Sequence, residues 1–355
     1  MNNGWIITDW LLNFKGGFIR RGLSGFFMFI LADLIKLDIK TLVFFVQSLL
    51  YLGYMIFFFF LFFGKKINGW FLILLLLPTT LRFSIFDKMT IGRKEIILFF
   101  IFNFFLLIQE KNLLNSFFKT FFFLMAFVGT LFHELFFFYT PYFIFASYLK
   151  CKLDNKTFNP HHSLFIISGS FLSVLVLILF GQPINNFLIC DYLLSKGLNK
   201  NICSGILAFS ENFTVVDVWL FAKSNNYFWY YSRNLFLSLL PFLLFIKSIK
   251  SRIISVRKFL LIFSFLFSFS LPLFLLALDW GRWIYIHLML LMFVSTLLLK
   301  KYYFNFRSRD INKNIFSYFF LKTKNQSLNI LYSLITVLVC FYFLTSWNMY
   351  HCCIK

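Results

Sequence analysis

The chain has 355 residues, 60% of them hydrophobic, 23% aromatic and only 13% charged. So much apolar surface exceeds what a single soluble core buries, which excludes an ordinary globular domain and points to a polytopic membrane protein. The net charge of +21 would suggest nucleic acid as partner for a soluble protein. In a bacterial membrane protein it is accounted for by basic cytoplasmic loops, and no nucleic acid is expected.

The start, MNNGWIITDW, lacks a basic region and a small-residue cleavage site, so targeting is expected to come from the spans themselves. NFKGGFIRRGLSGFF then sets Arg20 and Arg21 between glycines, ahead of a Phe-rich run. Residues 22–35 are too short for a comfortable span and are interrupted by Asp33. They are predicted to form a helix lying at the interface, with the N-terminus outside. If they cross instead, Arg20 and Arg21 lie inside. A span needs about 20 apolar residues, fewer if its ends snorkel. Ten are predicted, at 41–63, 70–86, 96–108, 117–132, 135–149, 163–180, 234–247, 259–278, 283–299 and 328–346. Continuous apolar runs without alternation make these helices, not barrel strands. The expected fold is an all-α transmembrane bundle, a single integral domain over 1–355, with one long periplasmic loop at 181–233 that starts at GQPINN. A loop of that length is expected to carry function.

If GKKING (64–69) faces the cytoplasm, alternation puts 109–119, 150–162, 248–258 and 300–327 there as well. These five loops hold more than half of the 34 basic residues, but only Glu110, Asp154 and Asp310 of the 13 acidic ones. The asymmetry favours this orientation. It leaves the mixed charges on the outer face: Asp9, Arg20 and Arg21; Asp87, Arg93, Lys94 and Glu95 in DKMTIGRKE; His133 and Glu134 in GTLFHELFFFYTP; and Asp279 and Arg282 in LDWGRWIY.

Each cluster has a bland reading beside a functional one. Arg20-Arg21 is a head-group anchor or, with flexible glycines on both sides, an oxyanion clamp. His133-Glu134 interrupts an apolar stretch from 120 to 149. It sits either at head-group depth or at a tight turn, where a partly desolvated Glu or a His would serve as general base. Asp279 and Arg282 form an aromatic-belt ion pair, or else Arg282 offers its planar fork to a phosphate while Asp279 orients it. Cys190 and Cys203 lie in the long outer loop, and an oxidising compartment would allow a disulfide there. The HCC tail at 351–353 lacks a second ligand pair. No Walker loop, dinucleotide fingerprint, HExxH motif or zinc pattern occurs, so no metal and no cofactor is expected.

DWLLNFKGGFIRRGLSG, an intramembrane HE and DWGRW, with a two-cysteine outer loop between the last two, together resemble the Wzy-type polymerases of bacterial surface-polysaccharide clusters. The likeness covers most of the chain. It implies a multi-pass protein of the bacterial inner membrane that joins oligosaccharide repeat units carried on undecaprenyl pyrophosphate at the periplasmic face, yielding O-antigen or capsule. The lipid-linked oligosaccharide and the bilayer would be its partners, with a chain-length regulator and a flippase in the same pathway. On this reading Arg20, Arg21, Arg282 and Arg93 hold the pyrophosphate, and Glu134, His133, Asp279 or Asp9 accepts the hydroxyl proton. Two rival readings are a lipid-linked sugar transferase of the GT-C kind, centred on Asp9, and a flippase, which would show internal pseudo-symmetry.

Overall fold

A computed structural model describes residues 4–81, 83, 92–203, 214–249 and 254–299. Every regular element among them is helical. The chain opens with α1 (Gly4–Leu11), a 3-10 turn at Phe14–Gly16, and α2 (Gly22–Ile35). Then come α3 (Ile39–Phe62), α4 (Gly69–Leu76), α5 (Glu95–Glu110), α6 (Ser116–Phe132), α7 (Leu135–Tyr139) and α8 (Pro141–Leu153). The remainder comprises α9 (His161–Phe180), α10 (Asn186–Ser195), α11 (Val215–Ser224), α12 (Tyr227–Ser248), α13 (Val256–Leu276) and α14 (Trp280–Ser295).

Among the described residues, four helices are long and apolar enough to cross a membrane: Ile39–Phe62, Ser163–Phe180, Val256–Leu276 and Trp280–Leu298. The last is buried along its whole length and forms the axis of the bundle. Its neighbours bury one face and show the other. α3 turns Phe44, Phe45, Leu49, Leu52 and Phe60 outward, and α9 does the same with Ile178, Leu179 and Phe180. Apolar faces of this extent call for lipid.

Side-chain contacts sort the helix ends into two groups. At one end the Lys65 ammonium meets Glu110 at 2.7 Å and the Thr296 carbonyl at 3.1 Å, Gln109 donates to Ser147, Ser163 to Ser147, and Asn68 to Ser248. These residues follow α3, close α5, flank the α8–α9 connection, precede α4 and end α12. The other ends of α5, α6 and α14 gather the charged residues described below.

Several elements depart from the sequence reading. Within the expected span 70–86, α4 ends at Leu76 and the chain turns through 77–81, where Thr80 donates its hydroxyl to the Leu74 carbonyl. The stretch expected to be one loop, 181–233, contains α10 and α11, and its last seven residues are the first two turns of α12. The sequence reading assigns no element before residue 22, yet α1 forms there and sinks into the bundle, with Thr8, Asp9, Trp10 and Leu11 buried and Leu12 after them. Residues 22–35 are helical over the predicted range, and their outward face is apolar apart from Asp33. The expected span 328–346, the loop 300–327, Asp87 and the HCC tail lie outside the described residues.

Candidate functional site

Five separated segments bring charged side chains to one end of the bundle. Asp9 comes from the last turn of α1, where Trp10 donates its indole N–H to the Gly92 carbonyl at 2.6 Å and Thr8 its hydroxyl to the Ile202 carbonyl at 2.8 Å. Gly25 fixes how closely α1 approaches α2. Its N–H donates to the Leu12 carbonyl at 2.9 Å, and a Cβ there would meet that oxygen at 2.2 Å. Arg21 precedes α2 with φ 64°, a left-handed backbone that an arginine adopts only under constraint. The constraint is visible: the Arg21 carbonyl accepts from Ser24 Oγ at 3.0 Å and from Lys94 Nζ at 3.4 Å.

The Arg21 guanidinium grips the Glu134 carboxylate with Nε at 2.8 Å and Nη2 at 2.5 Å, a bidentate pair, while its Nη1 lies 3.6 Å from Asp9. Glu134 is held at the sharp break between α6 and α7, since α6 closes at Phe132 and the chain turns back. Arg20 Nη1 stands 3.9 Å from Glu134, with most of its side chain exposed. Lys94, just before α5, is fully buried and lies 3.8 Å from Asp9. At the start of α14, Arg282 divides its nitrogens: Nη2 sits 2.6 Å from Asp279 and Nε 3.1 Å from Glu95. Arg93 meets the same Asp279 oxygen at 3.4 Å. One network thus runs from Arg20 through Glu134, Arg21, Asp9 and Lys94, and from Glu134 through His133, Glu95, Arg282 and Asp279 to Arg93.

His133 sits between the two carboxylates, with Nδ1 3.7 Å from Glu134 and Nε2 4.0 Å from Glu95. Its Nδ1 accepts from the Leu135 amide at 3.2 Å, which places the proton of the neutral ring on Nε2, facing Glu95. Burial, reinforced by Arg21, lowers its basicity to a pKa of about 3, so the ring is neutral near pH 7. The carboxylates differ from one another. Burial alone would raise Glu134, but the charge and hydrogen bonds of Arg21, with Arg20 beside it, bring it well below the usual range. Asp9 also ends lower, because Lys94 and Arg21 outweigh its burial. Glu95 is pushed up by burial to about 7, and burial likewise brings Lys94 down to about 8.

Five cations and four carboxylates share this space, and desolvating them is costly unless each is paired and hydrogen-bonded. That condition is incompletely met. Both Glu95 oxygens, Asp9 Oδ1, His133 Nε2 and Arg282 Nε are buried and have charged neighbours but no hydrogen-bond partner. Buried polar atoms left in that state mark a place where a polar guest would gain hydrogen bonds.

All eight residues singled out from the sequence, Asp9, Arg20, Arg21, Arg93, His133, Glu134, Asp279 and Arg282, belong to this cluster. Lys94 and Glu95, to which the sequence reading gives no role beyond charge, belong to it as well. The signal was available, since Glu95 opens an apolar run in which a carboxylate has no other reason to sit. Cys190 and Cys203 are joined by a disulfide with Cα atoms 5.5 Å apart, beside Ile202, which receives the Thr8 hydroxyl. The described residues contain no group of His, Cys, Asp and Glu arranged to hold a metal ion. Comparison with family models, with curated proteins and with solved structures found no match to this chain.

Proposed function

We propose that this chain polymerises oligosaccharide repeat units carried on undecaprenyl pyrophosphate, working from the charged end of the bundle, which the reading places at the periplasmic face of a bacterial inner membrane. The observation that carries the proposal is the meeting of guanidinium and carboxylate groups from α1, α2, α5, the α6–α7 break and α14 beside an apolar, lipid-facing body. A diphosphate ester needs fixed cations, a sugar needs hydrogen-bonding carboxylates, and an isoprenoid tail needs apolar surface.

In the proposed reaction, a hydroxyl oxygen of the incoming unit attacks the anomeric carbon of the growing chain, whose bond to the lipid pyrophosphate breaks. The departing diphosphate keeps the bonding pair. Its charge is met by Arg20, the most accessible of the cations, with Arg21, Arg93 and Arg282 behind it. The hydroxyl proton needs an acceptor matched to neutral pH. Glu134 is a poor one, because Arg21 holds it as the anion, and His133 has committed its basic nitrogen to the Leu135 amide. Glu95 suits the task better. It is buried, its oxygens accept no hydrogen bond, and burial brings it to about 7. His133 then stands beside Glu95 with its Nε2 4.0 Å away and does not take the proton.

The test is the purified full chain in detergent, given synthetic undecaprenyl-pyrophosphate oligosaccharide and followed by mass spectrometry. Products of two or more repeat units, with release of undecaprenyl pyrophosphate, are expected. A product formed only from monophosphate-linked sugar would favour a GT-C transferase, and transport across vesicles without any covalent product would make the protein a flippase. Arg282→Lys is expected to abolish chain growth while the protein still inserts, because one ammonium cannot meet both Asp279 and Glu95 as the fork does.

A further inference from the structure

Away from the charged end, α8 and α13 diverge. Ile144, Phe145 and Tyr148 on one helix face Leu261, Ile262 and Phe265 on the other across a trough of about 390 Å³. With Pro141 and Lys258, which also line it, these positions follow the i, i+3, i+4, i+7 spacing of helix faces that normally close on each other. Here they stay apart, leaving Leu261 64% and Phe265 57% exposed.

Two features identify what fits between them. The trough is apolar except at one mouth, where Lys258 lines it and Lys152 stands 5.8 Å over the ring of Tyr148. Arg257 adds charge in the same first turn of α13. Asp154, which follows the last turn of α8, is already engaged by Lys150 at 2.8 Å and by Lys156. The second feature is length. Residues 258 to 266 rise about 12 Å along a helix, close to half of a hydrocarbon core of about 30 Å. The trough therefore reaches from one head-group layer toward the bilayer midplane and stops there.

We propose that this trough binds one acyl chain of an anionic phospholipid, with its phosphate at Lys258 and Lys152, in the leaflet opposite the charged cluster. The contacts are a chain between two helix faces and an ammonium on a phosphate, both of which the bilayer supplies continuously. The site does not depend on the reaction proposed above, and its occupant enters from the other leaflet.

The test uses full-length protein in nanodiscs containing phosphatidylglycerol with a photoactivatable acyl chain. Cross-links are expected to concentrate on Tyr148 and on Leu261–Phe265, and to be competed by unlabelled phosphatidylglycerol but not by phosphatidylcholine. Lys258→Ala should lower that preference about five-fold, the worth of one lysine beside anionic head groups. Ile262→Trp should fill the trough and remove the labelling. Even labelling over the outward residues Ile178–Phe180 and the trough alike, equal competition by both lipids, or protection of the trough by another part of the chain would each overturn the proposal.

Discussion

His133 and His287 are buried histidines in the same bundle, and their surroundings differ. His287, in the middle of α14, has a hydroxyl on each nitrogen: Tyr142 at 2.8 Å from Nδ1 and Ser270 at 2.6 Å from Nε2. His133 has one backbone amide and, on its other side, a carboxylate too distant to accept. The first arrangement is a completed network that fixes α8, α13 and α14 to one another. The second keeps hydrogen-bonding capacity in reserve among closely spaced charges. Burial is the same in both places, so burial does not distinguish a structural polar group from one poised for chemistry. Completeness of hydrogen bonding does.

The contrast is broken most strongly at Arg21. Arg21→Ala leaves Glu134 and Asp9 without their main counter-charge, and chain growth is expected to fall by about 100-fold or more, the usual size for loss of a fixed donor to developing charge. Arg21→Gly would ease the left-handed backbone yet remove the same charge, so equal loss in both variants would assign the effect to the guanidinium. Activity close to wild type in either would reject that assignment.

Next in size is the pH dependence of stability set by Glu95. Its carboxyl sits at about 7 when folded, against an ordinary 4.5. The folded state therefore holds the proton more tightly than the unfolded chain does. Stability from this group is fully present below pH 4.5 and is lost as pH rises toward 7, by about 3 kcal/mol over the window. His133 acts in the opposite sense, because its folded value of about 3 lies below the ordinary 6.5 and costs stability as pH falls. The comparison of interest is thus wild type against Glu95→Gln, followed by thermal unfolding from pH 4.5 to 8. Glu95→Gln should gain on wild type toward high pH, and parallel curves would contradict the burial of a titrating carboxyl.

The smallest expected effect belongs to the completed network. Tyr142→Phe leaves one nitrogen of His287 without a partner and should cost about 1–3 kcal/mol of stability, read as a lowered melting temperature. Polymer length should not change. A shift in polymer length without any loss of stability would mean that the two histidines are coupled, and the distinction drawn above would fall.

Much of the helical pattern was legible, because apolar runs bounded by charge read directly as helices: α2 lies over the predicted 22–35, and the break at His133-Glu134 falls where a thirty-residue apolar stretch had to turn. The coming together of the charged clusters was legible for a simpler reason, since ions at the ends of apolar helices have few other places to go. Less visible was α4, where Thr79 donates to Ser238 and Thr80 to the Leu74 carbonyl, hydroxyls that a hydropathy reading treats as neutral. The burial of α1 is not legible in the sequence, because it depends on a glycine approach at Gly25 and on Ile202, far along the chain, neither of which follows a hydropathy period. Glu95 was seen but not valued, because its importance comes from the hydrogen bonds it lacks.

The bond from Thr8 to Ile202 spans 194 positions of chain. In synthesis α1 is made long before the carbonyl that receives its threonine, which emerges within the Cys190–Cys203 segment, and Arg282 comes later still. Asp9 meets Arg21 and Lys94 early, but the Thr8 hydroxyl beside it must wait through most of synthesis for its acceptor. Truncated chains ending before residue 200 would keep the partners of Asp9 and Trp10 but leave the Thr8 hydroxyl without its acceptor, a recognisable mark for quality control at the membrane.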